Sequence, residues 1–210
     1  MKKKLKAYLV AISLVVALEA DVKHFSNINQ AVDEFVVALE KKDAKALESL
    51  FTKKYQYLVE SNEINAEEID AFLSAYKKSN HLVSFDAQEV YIEVGKYAWT
   101  FPIPLCKDKN GWAYNIAIGL ENIKTRAIGR HELETISALQ NYTSFTSLQS
   151  SAISEIYSFT QEENGDIIAI PKEYNVNAIT SFVLKKDGKI YEADLGEGDY
   201  TFDNRFRLLN

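Results

Sequence analysis

Two prolines inside an aromatic, strand-like run constrain this chain more than any other feature. The run reads Trp99-Thr100-Phe101-Pro102-Ile103-Pro104-Leu105. Its aromatic and β-branched residues favour extended backbone. Pro102 and Pro104 stand two apart, so both rings share one face and both missing amides fall on one side. A strand paired on both sides cannot lose those donors, which places the run at a sheet edge or at the rim of a pocket.

On either side of this run the hydrophobic period changes. Upstream it is helical. Ser26 or Asn27 is the expected N-cap for a helix carrying Ile28, Ala31, Val32, Phe35, Val36 and Leu39. Lys41-Lys42-Asp43 interrupts that stripe, and Ala46, Leu47, Leu50, Phe51 and Leu58 restart it. A third helix is expected over Ala66 to Lys77, capped by Asn65, with Glu67 and Glu68 at its positive end. The period then drops to two. Strands are expected over His81–Asp86, Glu89–Val94, Tyr97–Leu105 and, after the turn Lys107–Gly111, Trp112–Ile118. Leu120 to about Tyr157 reads as helix with a break at Gly129, and the Ser/Thr-rich Thr143–Ser151 marks a loop or frayed end. Strands return at Ile167–Ile170 and at Ala178–Leu184, which Asp187-Gly188 joins to Lys189–Ala193 as a hairpin. The fold class is therefore α+β: N-terminal helices on an antiparallel sheet, a long central helix and a C-terminal β-hairpin.

The first twenty residues read differently from the rest. Lys2, Lys3, Lys4 and Lys6 precede the apolar run Ala7–Leu18, and small residues follow at Ala17 and Ala20. This is the pattern of a secretory signal peptide over 1–20, with cleavage expected after Ala20 and Val15-x-Ala17 as the competing site. A run of this length is short for a membrane-spanning helix, so an uncleaved anchor is the less favoured reading and no stable membrane insertion is expected after cleavage. Residues 21–210 then form a single α+β domain, with a possible subdivision near 120–165. Cleavage removes four Lys and one Glu, leaving 20 basic against 29 acidic residues and shifting the net charge from −6 to −9. Such a chain lacks the positive footprint that holds phosphates, so nucleic acid is not expected as a partner. Cys106 is the one cysteine, so no internal disulfide is available. It reads as a small buried hydrophobe rather than a nucleophile.

The block from Trp99 to Leu133 resembles a bacterial family known as domain of unknown function 2950. The resemblance rests on Phe101-Pro102-Ile103-Pro104-Leu105, Gly111-Trp112, Gly119 and Ile128-Gly129-Arg130-His131-Glu132-Leu133. Later matching stretches are Ile170-Pro171-Lys172-Glu173-Tyr174, Thr180–Leu184, Asp187-Gly188 and Tyr191–Gly196. The resemblance implies an exported α+β protein and no catalytic residue. Two departures stand out. The family usually has Asn where this chain has His131, and a long Gly- and Tyr-rich insertion before the final hairpin is replaced here by about twenty residues.

Two groups of residues are candidates for a site. Arg130, His131, Glu132 and Glu134 form the densest polar cluster. It reads either as an oriented general base or, more economically, as an acidic helix start with a solvated face. Trp99, Phe101 and Trp112, with Tyr97, Tyr114 and the prolines, read either as core packing across strands or as an aromatic groove for a ligand. The ligand-binding candidates are thus Trp99, Phe101, Pro102, Pro104, Trp112, Arg130, His131 and Glu132. No catalytic residue, metal ligand set or cofactor is expected: no phosphate loop, nucleophile elbow or paired-cysteine motif occurs. Asp187-Gly188 and Glu197-Gly198-Asp199 read as turns rather than calcium loops. The expected role is a non-enzymatic binding or assembly module, periplasmic or secreted, with an envelope protein or a small ligand as partner. An envelope hydrolase or isomerase using His131 is the alternative.

Overall fold

The computed structural model of the chain describes residues 22–51, 66–197 and 202–209. The expected signal segment, Leu58, Asn65 and the Gly198–Asp199 turn lie outside the described residues. The chain is α+β and divides into two compact units, Met1–Asn122 and Ile123–Asn210.

In the first unit, α1 (Ile28–Glu40) starts where the Asn27 side chain accepts the Asn29 N–H, and buries Ala31, Val32, Phe35, Val36 and Leu39. Lys42 turns the chain with φ of 52°. Asp43 then caps α2 (Ala44–Phe51) by accepting the Lys45 and Ala46 N–H groups. After α3 (Ala66–Lys78) come β1 (Asn80–Ser84), β2 (Glu89–Val94), β3 (Trp99–Thr100), β4 (Leu105–Asp108) and β5 (Gly111–Tyr114). All pairings are antiparallel, in the order β1-β2-β4-β5, with β3 on β2 beside β4. Val90, Ile92 and Val94 of β2 alternate into the core. They meet an aromatic cluster in which Phe35 lies 4.8 Å from Phe101, 5.5 Å from Phe51 and 5.7 Å from Phe72. Burying such rings contributes roughly 1.5–3 kcal/mol each. The buried Tyr114 hydroxyl donates to the Ala31 carbonyl of α1 at 3.3 Å, fastening helix to sheet.

The expected continuous strand over Tyr97–Leu105 is interrupted. Thr100 stands opposite Glu93 and Leu105 opposite Val90, so the four residues Phe101–Pro104 face only Tyr91 and Ile92. The prolines therefore make a bulge and not a sheet edge, which corrects their expected placement. A bulge needs no ladder amide, so it tolerates both rings. β4 beyond it is interior, paired with β2 and β5. The strand expected to reach Ile118 stops at Tyr114, because the Asn115 side chain accepts the Ile118 N–H and starts α4 (Ile116–Gln140).

The helix α4 begins in the first unit and continues into the second without a break at Gly129. It ends at Gln140, short of the expected Tyr157. The second unit adds α5 (Phe145–Gln149), a 3₁₀ turn (Ala152–Glu155) and the strands β6 (Tyr157–Gln161), β7 (Ile167–Pro171), β8 (Thr180–Leu184), β9 (Ile190–Asp194) and β10 (Arg207–Leu208). They form an antiparallel meander in the order β10-β9-β8-β7-β6. One buried cluster joins Leu139, Leu148, Tyr157, Ile167, Phe182 and Ile190, and another joins Ile168, Val183, Ala193 and Phe206. β7 and β8 supply apolar residues to both clusters, one from each face.

Candidate functional site

In the first unit, the run Trp99–Leu105 is divided between surface and core. Trp99 is 48% exposed and sets its edge against Phe72 at 6.2 Å. Phe101 is buried in the aromatic cluster, Pro104 is buried and Pro102 is half-buried. Tyr97 is exposed in the turn after β2. Tyr97, Trp99 and Phe101 therefore do not line one shared surface. Trp112 is half-buried with Lys107 Nζ 5.8 Å above its ring, and its backbone exchanges two hydrogen bonds with Phe25.

The bulge has a structural use. It drives Ile103 into the core, where the start of α4 crosses it. A Cβ on Gly119 would lie 2.5 Å from Ile103 Cγ1, so only glycine lets the helix approach this closely. Asn122 Nδ2 donates to the Pro102 carbonyl at 2.8 Å and reaches the Tyr91 hydroxyl at 3.2 Å, and the Asn115 N–H donates to the Pro104 carbonyl. Gly111 has φ of 128°, and a Cβ there would meet the Phe25 carbonyl oxygen at 2.4 Å. Cys106 sits beside Glu89 and Asn115; burial, then the Glu89 charge, pushes its thiol up to about 11, so it is protonated at neutral pH.

In the second unit, Arg130 is exposed and His131 and Glu132 are half-buried. The Nδ1–H of His131 donates to the Asn177 carbonyl at 2.7 Å; a carbonyl only accepts, so the proton sits on that nitrogen. One Glu132 carboxylate oxygen accepts the Ile179 and Thr180 N–H groups at 3.0 and 2.8 Å. Adjacent residues on α4 thus hold the segment leading into β8. Beneath them the Tyr157 hydroxyl donates to the Thr180 carbonyl, and burial followed by the Glu132 charge raises its pKa. The buried Thr135 hydroxyl donates to the His131 carbonyl. This arrangement can orient backbone and hold the Tyr157 proton. It contains no activated nucleophile.

Among the described residues, no group of three or more His, Cys, Asp or Glu side chains is placed to hold a metal. His24 pairs with Asp108 at 3.2 Å and His81 with Ser79 at 3.2 Å. The Asp187 carboxylate is taken up by Lys189, as turn chemistry requires.

The residues that sequence reasoning did not single out lie on β1. Every residue from Asn80 to Ser84 is exposed, as are Leu82, Val83 and Phe85 among the large apolar side chains. Among the described residues β1 pairs only with β2. Phe85 donates its N–H to Glu89 and Ser79 accepts from Gly95, so odd positions bond inward and Asn80, Leu82 and Ser84 turn their backbone groups outward. The available signal was an uncharged stretch without proline between Lys78 and Asp86.

No curated protein and no solved structure matches the chain. Among the residues that carry the sequence resemblance, Phe101–Pro104 shape the bulge, Gly119 seats α4 and Glu132 fastens the segment leading into β8. The model of one family matches residues 22–160 and 156–208, and the chain belongs to that family, described as a protein of unknown function (DUF2950).

Proposed function

We propose that the protein is exported to the cell envelope and serves there as a non-enzymatic binding or assembly module. The observation that carries this reading is the outward edge of β1, whose backbone donors and acceptors and exposed Leu82, Val83 and Phe85 suit addition of an extended strand. Export is supported by the basic, apolar and small-residue order of residues 1–20. Binding is favoured over catalysis because His131 and Glu132 are engaged in holding backbone. The absence among the described residues of a helix long and apolar enough to cross a membrane is consistent with no stable insertion.

The test is a photo-crosslinking residue placed at Val83 in producing cells, with exposed Lys172 as control. The expected result is an adduct from position 83 alone, in the envelope fraction, on a chain whose N-terminus is Asp21. A full-length cytosolic chain overturns the export half of the reading. An exported chain with no adduct from position 83 overturns the binding half.

A further inference from the structure

We infer that two copies of this chain pair through β1, antiparallel about a two-fold axis at Leu82, joining their first-unit sheets into one. This rests on the reading of β1 as the docking edge and names its occupant.

The edge is self-complementary. About the axis, Leu82 opposes the partner's Leu82, Asn80 opposes the partner's Ser84, and His81 opposes the partner's Val83. Asn80 and Ser84 meet each other, Leu82 meets itself, His81 and Val83 pair on the other face, and the two-fold repeats each contact, as an isologous contact requires. Asn80, Leu82 and Ser84 carry the outward N–H and C=O groups, so this register closes about six inter-strand hydrogen bonds. It also keeps both β1–β2 ladders intact, because those use the odd positions.

Charge favours the same register. The strand has no charged residue, and none of the usual guards of an edge (lysine, proline or a bulge) falls within it. At its borders, antiparallel pairing brings the start of one strand beside the end of the other. The border that Asp86 follows then meets the border that Lys78, at the end of α3, precedes, and the two-fold repeats this opposition of charge. Lys77 is already paired with Glu40 at 2.9 Å, whereas the Asp86 carboxylate has one oxygen on the Gln88 N–H.

The outer strand of the second-unit sheet gives a contrast. In β6, Glu162 bonds inward to Asp166, so Tyr157, Phe159 and Gln161 face outward. Self-pairing about Phe159 would set Glu155 against the partner's Glu163, a like-charge contact repeated by the two-fold. In that register charge favours β1 over β6. The interface would be short, which fits a dimer that forms reversibly with concentration.

Light scattering and sedimentation of the purified chain test this. The wild type is expected to pass from monomer to dimer as concentration rises to about 100 μM. Asn80→Lys with Ser84→Lys places like charges opposite each other twice and should weaken the dimer about tenfold or more. Asn80→Glu with Ser84→Glu should do the same. Mixing these two variants should give a heterodimer, because 80 and 84 face each other only in this register. Both lose the Asn80 hydrogen bond to Tyr76, so that loss cancels in the comparison. Heterodimer formation from two monomers cannot arise from misfolding. A wild type monomeric at 100 μM overturns the inference, as does equal self-association by all variants or failure of the mixture to pair. An adduct of position 83 to a different protein, with a monomeric purified chain, would keep the binding reading and remove self-pairing alone.

Discussion

Gly119→Ala and Gly129→Ala put one methyl group at two points of α4, ten residues apart. Alanine is the better helix former, and at an unobstructed interior site the exchange stabilises by about 0.5–1 kcal/mol. Gly129 is such a site: a Cβ there has nothing within 4 Å. Gly119 is not. Its Cβ would stand 2.5 Å from Ile103 Cγ1, 3.0 Å from Cβ and 3.1 Å from Cα. Ile103 is 1% exposed, so it cannot swing away into solvent. Overpacking of this kind costs about 1–3 kcal/mol, and contact with a backbone atom places it at the upper end. After the helical gain is subtracted, Gly119→Ala should cost about 1–2 kcal/mol. Urea unfolding measures both. Trp99 and Trp112, the two tryptophans of the chain, lie in the first unit and report Gly119, while far-ultraviolet circular dichroism also follows α4. A slope of about 2 kcal/mol/M turns the loss into a midpoint drop of roughly 0.5–1 M. Ile103→Ala supplies a second readout: it removes the Cγ1 contact and keeps those to Cβ and Cα, so in its background the added methyl should cost clearly less. If Gly119→Ala raised the midpoint as Gly129→Ala should, the helix would not be seated on the bulge and the reasoning would fail.

Three further outcomes follow from the same geometry. Glu132→Ala leaves the Ile179 and Thr180 amides without their acceptor and should cost about 1–3 kcal/mol in denaturant unfolding, whereas His131→Asn keeps a donor for Asn177 and should be close to neutral; equal losses would refute the fastening role. Burial alone would raise the Asp166 pKa, but the Lys185 ammonium, the Lys186 N–H and Asn164 together hold it below the usual value. Its contribution is therefore complete above the unfolded pKa of about 4 and is lost as pH falls through the lower folded value. Asp166→Asn should lower the melting temperature at pH 7 and flatten its decline in acid, and an unchanged acid limb would count against the pairing. The Cys106 thiol, pushed up to about 11 from 9.0 by burial and Glu89, should react with iodoacetamide at pH 8 about 100-fold more slowly in the native chain than in urea, and equal rates would contradict its placement.

Much of the fold was legible because local chemistry agreed with tertiary packing. The α1 stripe, its Asn27 cap, the Lys41–Asp43 break, the exact span of β2 and the Asp187-Gly188 hairpin all follow from residue order. The errors came where a local rule met a tertiary exception. Two prolines excluded a paired strand, but a bulge satisfies the same constraint inside a sheet. Gly129 read as a helix break, yet an isolated glycine costs only about 1 kcal/mol and α4 runs through it. β6 was missed because the helix was expected to run to about Tyr157 and no strand before Ile167, although Tyr157 and Phe159 alternate before an Asn164-Gly165 turn. The polar cluster at Arg130–Glu132 was visible in the sequence. Its use was not, because Asn177, Ile179 and Thr180 lie more than forty positions away and come within reach only through the fold. The exposed edge of β1 escaped notice because five residues without charge resemble any other strand until their burial is known.

The central claim is that Pro102, Gly111, Asn122 and Glu132 hold this fold together, while the β1 edge, proposed here as the recognition surface, contributes little to its stability. An unfolding scan of the purified chain without ligand tests this most directly, comparing Pro102→Ala, Gly111→Ala, Asn122→Ala and Glu132→Ala with the edge substitutions Leu82→Ser and Val83→Ser. The first set should lower the unfolding midpoint in every case, and the edge set should leave it near wild type at concentrations where the chain is monomeric. Wild-type stability throughout the first set, with losses confined to the edge, would contradict the account.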